Sequence, residues 1–370
     1  MRSVLLRRAS ALVAITAALC TSLAEPASAC TRALYVADDG TVITGRNMDW
    51  VEDMGSNLWA FPAGMKRDGA SGPNSIQWTS QYGSVITSSY DAGTADGLNE
   101  KGLVANMQYF SDSDPGPPAA GKPLLTIAAW PQYVLDNYAT VAEAVAALSK
   151  EPFSLVAVTM PNGSKERLHL SISDASGDSA IFEYVKGKLE IHHGKQYVVM
   201  TNQPIYAQQL ARNEYWESVG GLNFRPGTFS PSDRFARASY YVGAIPRKAD
   251  PHYIKGMPDQ SFVYQAVASM LGVMRTVSVP IGVDVVTPSQ PNASSSIWTT
   301  VSDSTHLTYY FESASRPNTF WVSLSKLDLK PSAPVKKLTI SHGEIFSGEV
   351  SAKFTDAEPF KFLRGQPPAN

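Results

Sequence analysis

The chain has 370 residues, with 31 Lys+Arg against 33 Asp+Glu, 44% hydrophobic, 10% aromatic and 17% charged residues, and two cysteines. This composition excludes a disordered, collagenous or disulfide-stapled chain. A formal net charge of -2, with no Lys/Arg run after residue 8, leaves no electrostatic footprint for nucleic acid or an anionic membrane, so a soluble globular protein with a large core is expected.

Residues 1–29 read as a secretory signal. Arg2, Arg7 and Arg8 form the positive region, residues 9–19 an apolar run too short to span a bilayer, and Ala27-Ser28-Ala29 a small-x-small cleavage pattern. Cleavage between Ala29 and Cys30 is expected, giving a periplasmic or secreted protein with no membrane attachment. The cut removes Cys20, so Cys30 becomes both the single thiol and the first residue. Three readings of Cys30 stand side by side: a chance neighbour of the cleavage site, an acylated lipoprotein cysteine, and an N-terminal nucleophile whose α-amine serves as base. The third is chemically favourable, because an α-amine of pKa about 7.7–8.0 and a thiol of about 8.5 both titrate near neutrality. Such a residue needs a cation to favour thiolate, a carboxylate for the amine, and donors for an oxyanion.

From Cys30 the chain reads as a hairpin over 31–47, turning at Asp38-Asp39-Gly40, which returns Arg46 and Asp49 beside Cys30, with Trp50 as an apolar wall. Strands follow at 84–90 and 102–110. A helical block is expected over 124–137, then a second helix to Leu148 from the capping box at Thr140-Val141-Ala142-Glu143. Strands at 155–160, 167–173, 179–184, 189–193 and 197–201 come next, the last running into Asn202, with Pro204 beyond it. Helices are read at 205–217, 232–243 and 259–273. Ser232 is the expected N-cap of the middle one, which puts Arg234 in a first turn that does not favour a cation. Strands return at 296–301, 305–312 and 319–324. Pro331-Ser332-Ala333-Pro334 reads as a linker into a weakly patterned extension over 331–370, packing on the domain or on a neighbouring subunit. Strands grouped around helix pairs argue for a single α+β domain over 30–330.

Other chemistries fail their tests. His169, His192, His193, His252, His306 and His342 include no pair at metal-ligand spacing with a carboxylate partner, so no metal is expected, and no phosphate loop, dinucleotide fingerprint or Gly-x-Ser-x-Gly elbow occurs.

Five separated motifs carry a resemblance: Cys30-Thr31-Arg32, Gly45-Arg46-Asn47-Met48-Asp49-Trp50, Asp96-Gly97-Leu98-Asn99-Glu100-Lys101-Gly102-Leu103, Met200-Thr201-Asn202 and Ser232-Asp233-Arg234-Phe235. In this order and spread they resemble the choloylglycine hydrolase family of N-terminal nucleophile hydrolases, which includes penicillin V acylases and bile salt hydrolases. The pattern is similar to that of Gram-negative penicillin V acylases and N-acyl homoserine lactone acylases. The resemblance implies a four-layer αββα sandwich of two antiparallel sheets. It implies Cys30 as nucleophile and base, with Arg46 and Asp49 beside it, Asn202 as oxyanion donor and Arg234 as second active-site arginine. The other oxyanion donor, a backbone N–H six residues after the Leu of the Asn-Glu-Lys-Gly-Leu run, falls at Tyr109, where bile salt hydrolases usually show Asn. Trp50, Tyr109 and Phe110 are expected to line an aromatic acyl pocket.

The implied activity is hydrolysis of a linear amide without a cofactor, with penicillin V as substrate and quorum-quenching action on acyl homoserine lactones beside it, by a homotetramer. Its alternatives are a conjugated bile salt hydrolase and a lipid-anchored binding protein acylated at Cys30.

Overall fold

The computed structural model describes residues 30–165, 167–220, 224–283 and 294–366. The expected signal segment lies outside these residues.

The chain opens with β1 (Thr31–Val36) and β2 (Val42–Trp50), the antiparallel hairpin expected from the Asp-Asp-Gly turn, in which Arg32 opposes Arg46 and Thr31 opposes Asn47. The next strands are β3 (Leu58–Phe61), a small hairpin of β4 (Lys66–Asp68) and β5 (Gln77–Thr79), β6 (Ser84–Ser89), β7 (Gly93–Asn99) and β8 (Val104–Tyr109). The block at 124–137 is not one helix. It begins as β9 (Leu124–Thr126), passes through a short 3-10 turn, and becomes helical as α1 (Trp130–Asn137), with Pro131 in its first turn. Proline at that position gives up an N–H that had no helical partner anyway, so it starts the helix where it would break an interior. The helix α2 (Val141–Leu148) carries the expected capping box, with Thr140 and Glu143 satisfying each other's backbone.

Strands β10 (Ser154–Val156), β11 (Leu168–Ser173), β12 (Ser179–Val185), β13 (Lys188–His193) and β14 (Val199–Met200) precede α3 (Tyr206–Gly220), α4 (Pro231–Ala244) and α5 (Phe262–Thr276). The cap of α4 is Ser230, which accepts from the Asp233 N–H, and not Ser232, since Pro231 is the first helical residue. The chain closes through β15 (Ser295–Asp303), β16 (Thr308–Ser313), β17 (Arg316–Ser323), β18 (Lys336–Leu338), β19 (Gly348–Glu349) and β20 (Thr355–Asp356).

Two large sheets result, ordered β14-β1-β2-β15-β16-β17-β19 and β13-β12-β11-β8-β7-β6-β3-β18-β20. Their pairings are antiparallel except at β17–β19. Helices α4 and α5 cover the outer face of the first sheet, through Phe235, Val267, Met270 and Met274 packed on Ala33, Tyr35 and Ile43. Helices α1 and α2 cover the second, through Trp130, Val134, Leu135 and Leu148 on Met107, Leu170 and Phe182. Between the sheets, Val85, Leu98 and Val104 meet Tyr309, Phe311 and Val322. These layers are the αββα sandwich. The inter-sheet layer is also polar in places: Thr44 and Ser173 hydroxyls meet at 2.7 Å, and Tyr309 joins Thr87 to Asp96.

Candidate active site

The hairpin register decides the site. Cys30 precedes β1 at the end where β2 finishes, so the last residues of β2 return to its side chain, which is 1% exposed. Cys30 Sγ lies 3.6 Å from the Asp49 carbonyl oxygen and 3.7 Å from Met48 Sδ. An Arg46 terminal nitrogen is 4.0 Å from the sulfur and donates to the Met107 carbonyl at 2.6 Å. The guanidinium also stands 4.6 Å over the Trp298 ring, and its Nε and other terminal nitrogen have no hydrogen-bond partner among the described residues. A cation held without a carboxylate in direct contact is free to stabilise negative charge on sulfur. Burial pushes the Cys30 thiol up, with Arg46 pulling it down and Asp49 adding to the rise.

Asp49 sits opposite Ser296, beside a β-bulge in β15, and the Ser296 hydroxyl donates to its Oδ1. Oδ2 is buried and has no hydrogen-bond partner among the described residues. Burial pushes this carboxyl up to about 7, against the opposing charges of Arg234 and Arg46 and the Ser296 hydrogen bond. A buried carboxylate oxygen without a donor beside a candidate N-terminal residue is the acceptor an α-ammonium requires.

Arg234 is a clamp. From the first turn of α4 it donates at 2.6 Å to both the Cys30 carbonyl and Thr31 Oγ1, at 2.8 Å to Asn202 Oδ1, and through Nε to the Phe229 carbonyl at 3.0 Å. These bonds explain a cation at an unfavourable helix position, and burial lowers its pKa to about 10. Because Asn202 Oδ1 accepts from Arg234, its amide nitrogen is turned the other way and donates one N–H to the Tyr109 carbonyl at 2.7 Å, leaving its second N–H for another acceptor. Asn202 and Tyr109, 93 positions apart, are thereby brought together at the end of β8.

A cavity of about 40 Å³ opens on Cys30 and Arg46, walled by Met48, Trp50, Met54, Ala95, Met107 and Tyr109 among others. Trp50 and Tyr109 are in contact, with ring centroids 6.3 Å apart. Phe110 departs from expectation: its ring stacks on His169 at 4.7 Å and is not part of this wall. One step along a strand reverses the side chain, so neighbours Tyr109 and Phe110 cannot both face the cavity while the strand persists. The wall instead recruits Met54, Ser89, Thr94, Met160 and Leu168, and the charge network recruits Ser296 and Thr31. Apart from Thr31, which lies in the Cys30-Thr31-Arg32 motif, none of these carried a sequence signal, since each is an ordinary strand or loop residue until the sheets bring it to Cys30. Among the described residues there is no group of three or more His, Cys, Asp or Glu suited to a metal ion.

A buried thiol beside an arginine and an aspartate thus sits on an αββα sandwich. The comparisons give the class: residues 30–337 match the family of linear amide C–N hydrolases, choloylglycine hydrolase family, and the chain belongs to it. It is a hydrolase acting on amide bonds. It is 45% identical over 372 residues to the penicillin V acylase of Pectobacterium atrosepticum, covering 96% of both chains. The structure of penicillin V acylase from Agrobacterium tumefaciens superposes with a TM-score of 0.80 at 50% identity, covering 90% of this chain and 99% of that one. Conjugated bile acid hydrolase from Clostridium perfringens shares the fold, with a TM-score of 0.69 at 20% identity over 86% of this chain and 98% of its own.

Proposed function

We propose that this protein is an exported penicillin V acylase that uses Cys30, freed by removal of residues 1–29, to release phenoxyacetate and 6-aminopenicillanate. The observation that carries the reading is the Cys30 sulfur, 4.0 Å from Arg46 and 3.6 Å from the Asp49 carbonyl, with the Oδ2 of that aspartate buried and unpartnered among the described residues. It is supported by the likeness to two penicillin V acylases. In the first step Sγ attacks the amide carbon and the α-amine takes the thiol proton. The oxyanion is met by the second N–H of Asn202 and the backbone N–H of Tyr109, each donor contributing about 2.7–4 kcal/mol. The C–N bond then breaks, the α-ammonium protonates the leaving amine, and a thioester remains. Water attacks this thioester after giving a proton to the amine, the acid departs, and the proton returns to sulfur. Asp49 holds the ammonium between transfers, Arg46 favours thiolate, and Arg234 fixes the backbone of Cys30 and the amide of Asn202.

The apolar cavity wall also suits acyl homoserine lactones, which would make quorum quenching the natural role in the periplasm or outside the cell. Exposed Tyr215, Val219 and Phe224 offer apolar surface for a homo-oligomer, a tetramer by family analogy. Lipidation of the Cys30 amine would remove the base, so intact mass separates the hydrolase from a lipid-anchored protein.

The deciding experiment is amine release from penicillin V, glycocholate and a long-chain acyl homoserine lactone by exported protein. Release from penicillin V or the lactone, with little from glycocholate, is expected. Release from glycocholate alone would make it a bile salt hydrolase, and release from none would overturn the substrate reading.

A further inference from the structure

The segment after Pro331 reaches the back of the acyl cavity. Between β6 and β7 the chain turns at Tyr90 and Asp91, with φ of 53° and 46°. Two consecutive non-glycine residues in the left-handed region persist only when their surroundings hold them. Asp91 is held by four donors: Lys337 Nζ at 2.6 Å and Asn57 Nδ2 at 2.9 Å on Oδ2, Ser88 Oγ at 2.5 Å and Trp59 Nε1 at 2.8 Å on Oδ1. Lys337 comes from β18, and from further along the tail the Leu363 N–H donates to the Ala92 carbonyl at 2.7 Å. Thus two tail residues grip the outside of this turn.

Its inside faces Cys30. Ser89, Gly93, Thr94 and Ala95 line the small cavity, while the Tyr90 hydroxyl accepts from Trp50 Nε1 at 2.8 Å and donates to Glu52 at 2.5 Å. Among the described residues, Trp50 is the one shared with a second cavity of about 280 Å³, lined by Trp298, Phe311, Phe320, Ile340 and Phe346 among others. Trp50 therefore stands at the boundary of both spaces.

We propose that Lys337 is a positioning residue for acyl specificity: by pinning Asp91 it fixes the turn that carries Tyr90, and Tyr90 holds Trp50 as the wall that limits acyl length at Cys30. A long acyl chain enters the larger cavity only if the indole yields. This inference rests on the proposed role of Cys30 as nucleophile.

The test uses Lys337→Met, its conservative partner Lys337→Arg, and Tyr90→Phe, which removes the latch hydroxyl without touching Asp91 and serves should Lys337→Met fail to fold. With phenoxyacetyl and dodecanoyl amides of one amine, Lys337→Met and Tyr90→Phe are expected to raise the long-to-short ratio of kcat/KM at least about threefold. The change should fall chiefly on KM for the dodecanoyl amide, and Lys337→Arg should stay near wild type. Alkylation of Cys30 by iodoacetamide and by N-dodecyl iodoacetamide reads the same partition without hydrolysis. A shifted alkylation ratio in a protein that cleaves neither amide would keep this inference and sink the proposed function. Unchanged ratios in both assays, with only a lower unfolding midpoint for Lys337→Met, would overturn it.

Discussion

A buried thiol is a weak nucleophile until something favours its thiolate, and at Cys30 burial and Arg46 pull in opposite directions. Replacing Cys30 with Ser is expected to lower turnover at least about 100-fold, because an alcohol is far harder to deprotonate than a thiol in the same setting. Full activity in that variant, measured by amine release, would exclude Cys30 as nucleophile. Asn202→Ala is expected to cut kcat about 10²- to 10³-fold with a smaller effect on KM, as loss of one oxyanion donor does. Asp49 makes a prediction about pH in the uncleaved chain, where no α-ammonium compensates it. Its folded pKa of about 7 lies above its ordinary 3.8, so the stability it contributes is fully present below about pH 4 and is lost as pH rises towards 7. Asp49→Asn in uncleaved protein should therefore raise the thermal midpoint at pH 8 more than at pH 4. An equal change at both values would refute the raised pKa.

At the scale of elements, the Asp-Gly-Leu-Asn-Glu-Lys-Gly-Leu run is structural. Asn99 caps the turn, its Oδ1 accepting from the Lys101 and Leu103 N–H groups while its Nδ2 donates to the Leu135 and Tyr138 carbonyls, tying the β7–β8 hairpin to α1. Gly102, at φ 85°, has no room for a Cβ, which would stand 2.5 Å from the Ser304 carbonyl oxygen. Gly102→Ala is expected to destabilise by about 1–3 kcal/mol in denaturant titration while leaving activity per folded molecule close to wild type. This hairpin starts β8 in the register that delivers Tyr109 to Asn202. The motif thus acts on the site through register.

For the whole molecule, the tail beyond the expected linker joins both sheets. Strand β18 pairs with β3 and β20 in one, β19 pairs with β17 in the other, and Phe360 packs on Trp59 and Phe61 with centroids 5.3 and 5.6 Å away. Phe360→Ala is expected to cost about 1–3 kcal/mol, a lowered unfolding midpoint being the check. Its weak sequence pattern has a physical reason: strands of two and three residues show too few alternations to register as a period. Strands β3 and β7 lacked a clear signal for a related reason. Both are buried along their whole length, so their polar and apolar residues do not alternate with exposure.

What the sequence determined by itself was local or carried by motifs. The Asp-Asp-Gly hairpin and the capping box at Thr140 rest on short-range rules, as does the strand before Asn202, expected over 197–201 and observed over Val199–Met200, and the five separated motifs point to the family and its αββα layers. Local chemistry misled where two elements competed for one stretch, as at 124–137, or where a proline moved a cap, as at Ser230. Only the tertiary structure decided that Asp49 takes Ser296, that Arg234 turns the Asn202 amide, and that Phe110 stacks on His169 away from the cavity. It alone connects Lys337 to Trp50. Those contacts join residues 32 to 247 positions apart. Their partners are chosen by sheet pairing and burial across the sandwich, and no periodicity within a single segment records that choice.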